Sequence, residues 1–178
     1  MGGGERIRLF CALRLPDAAI ERLVAWQQAQ LGAGGRLVPP ENLHVTLAFL
    51  GHVDAVRLPE IGIALREAAA RAGEIRLSAV RYRETRSVGM VVLDDEKGRA
   101  TALAEDLHGR LEALGIYRPE GRPWLPHVTV LRFRERPRLR PDPPDLGLVA
   151  PSDAAAFLSR LGPSGAQYEI LESHALGG

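Results

Sequence analysis

Val38-Pro39-Pro40-Glu41-Asn42-Leu43-His44-Val45-Thr46-Leu47-Ala48-Phe49-Leu50-Gly51 and Arg122-Pro123-Trp124-Leu125-Pro126-His127-Val128-Thr129-Val130-Leu131-Arg132 are two versions of one pattern. Each is a proline turn followed by an apolar run that opens on histidine, with threonine two residues on. Side chains at i and i+2 of a strand share a face. His44 and Thr46 therefore point one way and Val45 and Leu47 the other. His127 and Thr129 stand in the same relation to Val128 and Val130. Burying two imidazoles and two hydroxyls is costly unless each is paired. A polar cleft between the two strands accounts for all four at once.

Outward from these strands, hydrophobic periodicity gives the remaining elements. Ile7 to Leu13 reads as a buried strand. Pro16 and Asp17 open a helix, which stops near Gly32 to Gly35. Leu43 to Leu50 is the first histidine strand. A helix spans Leu58 to Arg71. Glu74 to Arg83 and Ser87 to Leu93 form a hairpin. A helix from about Gly98 to Leu114 aligns Leu103, Leu107, Leu111 and Leu114 on one face. Pro126 to Phe133 is the second histidine strand. The segment Pro137 to Pro151 is proline-broken and reads as a surface loop. Phe157 to Leu161 and Tyr168 to Leu171 form a closing hairpin. Helices mixed with hairpins point to an α+β fold rather than a doubly wound parallel sheet.

The composition excludes several classes. The chain has 178 residues, 46% hydrophobic and 25% charged, with formal charge +1. These values fit one soluble globular unit over residues 1–178 and exclude whole-chain disorder, collagen and coiled coil. The near-neutral balance gives no global pull toward nucleic acid, although local clusters can bind phosphate. Lys97 is the sole lysine among 23 basic residues, so the cationic chemistry is that of arginine, whose planar fork suits phosphate oxygens. Cys11 is the only cysteine and is expected in the core, which excludes an intramolecular disulfide and a cysteine-rich zinc site. No apolar run reaches the ~18 residues of a membrane span. Met1 to Arg8 lacks the apolar core of a signal peptide, so a cytoplasmic location is expected.

Two histidines and two hydroxyls suit phosphodiester cleavage. One group must activate the attacking oxygen and another must protonate the departing one; histidine does either near neutral pH. Threonine hydroxyls can donate to the non-bridging oxygens as charge builds on them. A strained cyclic phosphate would need no metal, and no carboxylate or third histidine stands at ligand spacing.

The paired motifs resemble those of the two-histidine phosphoesterase superfamily, and most closely the RNA 2′,3′-cyclic phosphodiesterases, also called 2′-5′ RNA ligases. Arg8 to Leu13 is similar to the family's opening strand, and Ser159 to Pro163 with Gly165 to Leu171 to its closing hairpin. The likeness covers about residues 6–173. It implies a bilobal α+β fold, with two antiparallel-rich sheets facing a central groove and helices packed outside. It implies hydrolysis of a terminal 2′,3′-cyclic phosphate, on RNA or on small cyclic nucleotides, to a 2′-phosphomonoester. By the same resemblance His44 is the proton donor to the leaving 3′-oxygen, His127 the proton acceptor, and Thr46 and Thr129 the phosphate holders. A monomer without cofactor or metal is expected. The alternatives are 2′-5′ ligase or phosphodiesterase activity in the same site, and a non-catalytic RNA-end-binding module.

Arg36, Arg122 and Arg132 are the candidate phosphate contacts. Strand parity places Arg132 opposite His127, so it reaches the groove only if the strand twists or bulges. Phe49 holds the matching place after the first motif and Trp124 lies three residues before His127; both are candidates for base stacking. His52 reads as a turn residue, His108 as structural, and His174 as near a fraying end. Ala154-Ala155-Ala156 replaces a more polar lead-in to the closing hairpin and leaves the length and pairing of that strand open. The alternating arginines from Arg132 to Arg140 are either a solvated loop or a basic rim that steers RNA.

Overall fold

A computed structural model describes residues 3–177; Met1, Gly2 and Gly178 lie outside the described residues, and with them part of the Met1–Arg8 reading. The strands are β1 (Arg6–Arg14), β2 (Arg36–Leu37), β3 (His44–Asp54), β4 (Leu77–Glu84), β5 (Val88–Asp95), β6 (His127–Arg132), β7 (Asp153–Gly162) and β8 (Gly165–Ala175). The helices are α1 (Asp17–Gln30), α2 (Leu58–Arg71) and α3 (Arg99–Ala113). The expected α+β class and order of long elements are observed; the two-residue β2 is an addition.

Every strand pairing is antiparallel. The strands form one curled eight-stranded sheet in the order β4-β5-β6-β3-β1-β7-β8, with β2 on β6. The two sheets that the family resemblance implied are thus halves of a continuous one. They meet where the histidine strands touch, at the pair Val45–Val128. The antiparallel register around that pair sets His44 opposite Thr129 and Thr46 opposite His127. Cross-strand neighbours of this kind stand ~4.5–5.5 Å apart at Cβ.

Helices α2 and α3 pack together and against β3, β5, β7 and β8. On α2 the buried face is Ile61, Gly62, Ala64, Leu65, Ala68 and Ala69, with helical spacing. Leu65 is fully buried, so Leu65→Ala should cost about 2–5 kcal/mol. Gly62 admits the side chain of Glu172 where a Cβ would collide with it.

Several boundaries differ from the sequence reading. β3 continues to Asp54, so His52 is an exposed strand residue rather than a turn residue. The closing hairpin extends to Asp153 and Ala175. Ala154, Ala155 and Ala156 are fully buried and pair with Leu13, Ala12 and Cys11 of β1. Alanine has weak strand propensity, but burial between neighbouring strands overrides it. His174 is accordingly no fraying end: it pairs with Ala154, and its Nε2 lies 2.8 Å from Glu172 Oε1. Cys11 is buried as expected, and burial, with the Glu172 carboxylate second, pushes its thiol up to about 12.

Candidate active site

The two histidine strands repeat one local geometry. Over His44–Phe49 and His127–Arg132 the residues alternate between partly exposed and buried as far as the threonine. Two consecutive residues are then buried, Leu47 and Ala48 in β3, Val130 and Leu131 in β6. The next residue, Phe49 or Arg132, is exposed. Pairing registers explain this break in parity. β1 matches Ala12 to Thr46 and Cys11 to Ala48, skipping Leu47. β5 matches Met90 to Thr129 and Gly89 to Leu131, skipping Val130. Each strand therefore bulges one residue after its threonine, and the bulge returns Phe49 and Arg132 to the histidine face. This resolves the parity problem that the sequence posed for Arg132.

Both bulge carbonyls are held by helix side chains. Gln27 of α1 is 2% exposed, and its Nε2 donates to the Val130 carbonyl at 2.7 Å and to the Val38 carbonyl at 3.1 Å. His108 of α3 donates from Nε2 to the Leu47 carbonyl at 2.7 Å and stacks on Tyr117 at 4.6 Å. Trp124 Nε1 donates to the Thr46 carbonyl at 3.1 Å. His108 is structural, as read, and what it supports is the bulge beside Thr46.

The imidazoles share one orientation. His44 Nδ1 lies 2.8 Å from the Asn42 carbonyl and His127 Nδ1 2.8 Å from the Leu125 carbonyl. A carbonyl only accepts, so Nδ1 carries the proton in each ring and Nε2 is left for chemistry. His44 Nε2 accepts from the Thr46 hydroxyl at 2.9 Å. Asn42 also donates from its side chain to the Ala166 carbonyl, tying the His44 turn to the tip of the closing hairpin.

His44 lies over a small aromatic cluster on the concave face. Phe10 stacks on its ring at 4.8 Å, with Phe157 and Tyr168 at 6.0 and 5.6 Å. Burial lowers the imidazole pKa, the Asn42 carbonyl partly opposes it, and the His127 and Arg132 charges lower it again, to about 4. His44 is therefore neutral near pH 7 in the free site.

A cavity of about 600 Å³ opens over these groups. His44, Thr46, Thr129, Arg132, Arg36 and Phe49 line it. Arg36 enters through β2, directly opposite Arg132. His127 is not part of the cavity wall, although its charge reaches His44. Two predicted residues are elsewhere. Arg122 is exposed outside the cavity and paired with Glu120 at 3.1 Å, because its loop extends into solvent. Trp124 packs against the main core and supports Thr46 from outside the cavity.

The sequence reading missed Arg8, Ser159 and Tyr168, which also line the cavity. The Arg8 guanidinium lies 4.7 Å above the centre of the half-exposed Phe49 ring and donates to Ser159 Oγ at 2.7 Å. An arginine inside the apolar run Ile7–Leu13 was the available signal. Among the described residues, no group of three or more His, Cys, Asp or Glu is placed to hold a metal, and no helix is long and apolar enough to cross a membrane.

Comparison with known proteins gives the same picture. The LigT like Phosphoesterase family matches residues 13–89. An RNA 2′,3′-cyclic phosphodiesterase of Thermus thermophilus is 34% identical over 97% of this chain and 91% of its own length. A crystal structure of a Thermus thermophilus protein superposes with a TM-score of 0.83, at 28% identity and with 97% and 99% of the two chains covered. That of Escherichia coli LigT complexed with NADP+ gives 0.82, at 26% identity, covering 98% and 100%. With a fold of this likeness, and a relative this similar along nearly its whole length, the chain belongs to the LigT-like phosphoesterases.

Proposed function

We propose that the protein hydrolyses a terminal 2′,3′-cyclic phosphate, on RNA or a small cyclic nucleotide, to a 2′-phosphomonoester by metal-independent acid–base catalysis. The observation that carries this reading is the register at Val45–Val128, which sets each histidine beside the other motif's threonine, with His44 and both threonines in the wall of one arginine-lined cavity. The Escherichia coli relative crystallised with NADP+ adds support, because NADP+ carries a ribose 2′-phosphate, the group in which the proposed product ends.

The cyclic phosphate occupies the cavity between Thr46, Thr129, Arg36 and Arg132. Hydroxyls and guanidinium forks meet its non-bridging oxygens, where negative charge grows in the transition state. The phosphate monoanion raises the depressed pKa of His44, which takes up a proton on Nε2. His127 Nε2 accepts a proton from water as the water oxygen bonds to phosphorus. The bond from phosphorus to the 3′-oxygen breaks, and His44 delivers its proton to that oxygen. The 2′-ester bond remains, and the product carries a free 3′-hydroxyl. The stack of the Arg8 guanidinium on Phe49 offers a platform for the terminal base.

The test is incubation with a nucleoside 2′,3′-cyclic phosphate and with a terminally cyclic oligoribonucleotide, both in excess EDTA. A 2′-phosphate product is expected from each. A 3′-phosphate product, or activity that depends on one added metal, overturns the reading. Joining of ends without hydrolysis supports the ligase alternative, and binding without turnover supports a non-catalytic module.

A further inference from the structure

A second cavity, of about 490 Å³, lies outside the catalytic one, between the end of β4 and the loop that follows β6. Four arginines line it: Arg83, Arg136, Arg138 and Arg140. Glu84 is the one carboxylate in its wall, and that charge is already committed. Its side chain is 2% exposed and accepts from Arg136 Nε at 3.2 Å, the Arg138 and Leu139 N–H groups at 2.9 and 2.8 Å, and the Tyr82 hydroxyl at 3.0 Å. Burial alone raises the Glu84 carboxyl, but the bonds from Leu139, Tyr82, Arg136 and Arg138 outweigh it and hold it below the usual range.

Glu84 thus acts as a post around which the proline-broken loop is wrapped. Within that loop Arg138 takes a left-handed backbone (φ 59°). Among the described residues, the guanidiniums of Arg83, Arg138 and Arg140 have no carboxylate at ion-pair distance. A chain of formal charge +1 therefore concentrates several unneutralised cations on one built cavity. Their mutual repulsion is relieved when a polyanion arrives.

The chain leads from the catalytic cavity to this one: Arg132 lines the first, and the loop that follows it lines the second. Arg83 pairs with Met90, and Met90 pairs with Thr129. Two strand spacings, about 10 Å, separate Arg83 from the threonine of the second motif. The chain itself runs from Arg132 through Arg134 into Arg136, Arg138 and Arg140. Tyr82 and Glu84, which line the cavity, pair through Val91 and Gly89 to Val128 and Leu131 on the sheet face opposite Thr129, so RNA held at Thr129 and Arg132 would pass around the ends of β4 and β6 to reach it. A mononucleotide does not extend that far.

Resting on the function proposed above, we propose that the arginine-lined cavity formed by Arg83, Arg136, Arg138 and Arg140 is a second phosphate site. It binds the RNA backbone a few nucleotides from the reacting end and makes the enzyme favour oligoribonucleotides over mononucleotides.

The test compares the wild type with the triple variant Arg83→Gln, Arg138→Gln, Arg140→Gln, which leaves Arg136 on Glu84. Two readouts are needed. The first is binding of a single-stranded oligoribonucleotide ending in a 2′-phosphate, followed by anisotropy against salt. Single-strand binding loses ~0.7 in log–log salt slope per phosphate contact, so three lost contacts lower the slope by ~2. Between about 50 and about 200 mM salt the wild type should then weaken roughly 15-fold more than the variant. The second is hydrolysis. KM for the terminally cyclic oligomer should rise in the variant, while kinetics on the nucleoside 2′,3′-cyclic phosphate stay unchanged. Equal salt slopes in the two proteins overturn the second site whatever the catalysis shows. A reduced slope in a protein that hydrolyses neither substrate supports the site and overturns the functional reading instead.

Discussion

Gln27 Nε2 donates to the carbonyl of Val130 at 2.7 Å, and Val130 is the residue that β5 leaves unpaired in the second histidine strand. A buried amide on a helix thus fixes the bulge that puts Arg132 on the same face as Thr129. His108 does the same for Leu47 in the first strand. The two halves of the site are matched by this device as well as by their motifs.

Replacing Gln27 with leucine removes the side-chain donor to the carbonyls of Val38 and Val130. Each buried group left unsatisfied costs about 1–3 kcal/mol; the Val130 carbonyl keeps a bond from the Val38 N–H, so the loss should fall at the lower end. The functional effect should run through Arg132. In a double-mutant cycle, Gln27→Leu should impair turnover in the wild-type background and add little once Arg132→Ala is present. Equal losses in both backgrounds, after correction for unfolded protein, would show that Gln27 serves stability alone.

Arg132→Ala by itself should raise KM and make substrate affinity less sensitive to salt, because one charge contact with phosphate is gone. Kinetics measured across an ionic-strength series check this. An unchanged salt slope would leave Arg132 as a surface residue.

His44→Ala and His127→Ala should each lower turnover by about 10²–10⁴-fold, the usual weight of a general acid or base. The double variant should lose less than the product of the two, since the residues act as a unit. A substrate with a good 3′-leaving group needs little protonation, so it should rescue His44→Ala and not His127→Ala. Rescue of the other variant reverses the roles.

Protonation of His44 should accompany ligand binding. Its free value near 4 leaves it neutral at pH 6, and a bound phosphodiester anion raises that value. Calorimetry of a 2′,3′-cyclic nucleotide binding to His127→Ala, in buffers of differing ionisation enthalpy, should show uptake of up to one proton. The uptake should fade as pH falls toward 4, where His44 is already charged. No uptake at pH 6 would remove His44 as the acid. The same depressed value has a sign for stability. The unfolded chain protonates His44 near 6.5 and the folded chain only near 4, so stability drops as pH falls through that window. His44→Phe should shrink this acid loss, measured as Tm against pH.

The sequence by itself determined the α+β class, the order of the long elements and the paired histidine–threonine strands. These follow from local pattern: strand parity within a few residues, proline turns and helical spacing. It could not determine that both strands bulge after the threonine. A bulge is a property of a pairing, and β3 pairs with β1 while β6 pairs with β5. Parity alone therefore placed Arg132 on the wrong face. The burial of Ala154 to Ala156, the structural place of Trp124 and the solvent-facing pair Arg122–Glu120 were likewise decided by what surrounds those residues. The pKa of His44 belongs to the same group. It depends on Phe10, His127 and Arg132, which only the tertiary structure brings to its ring.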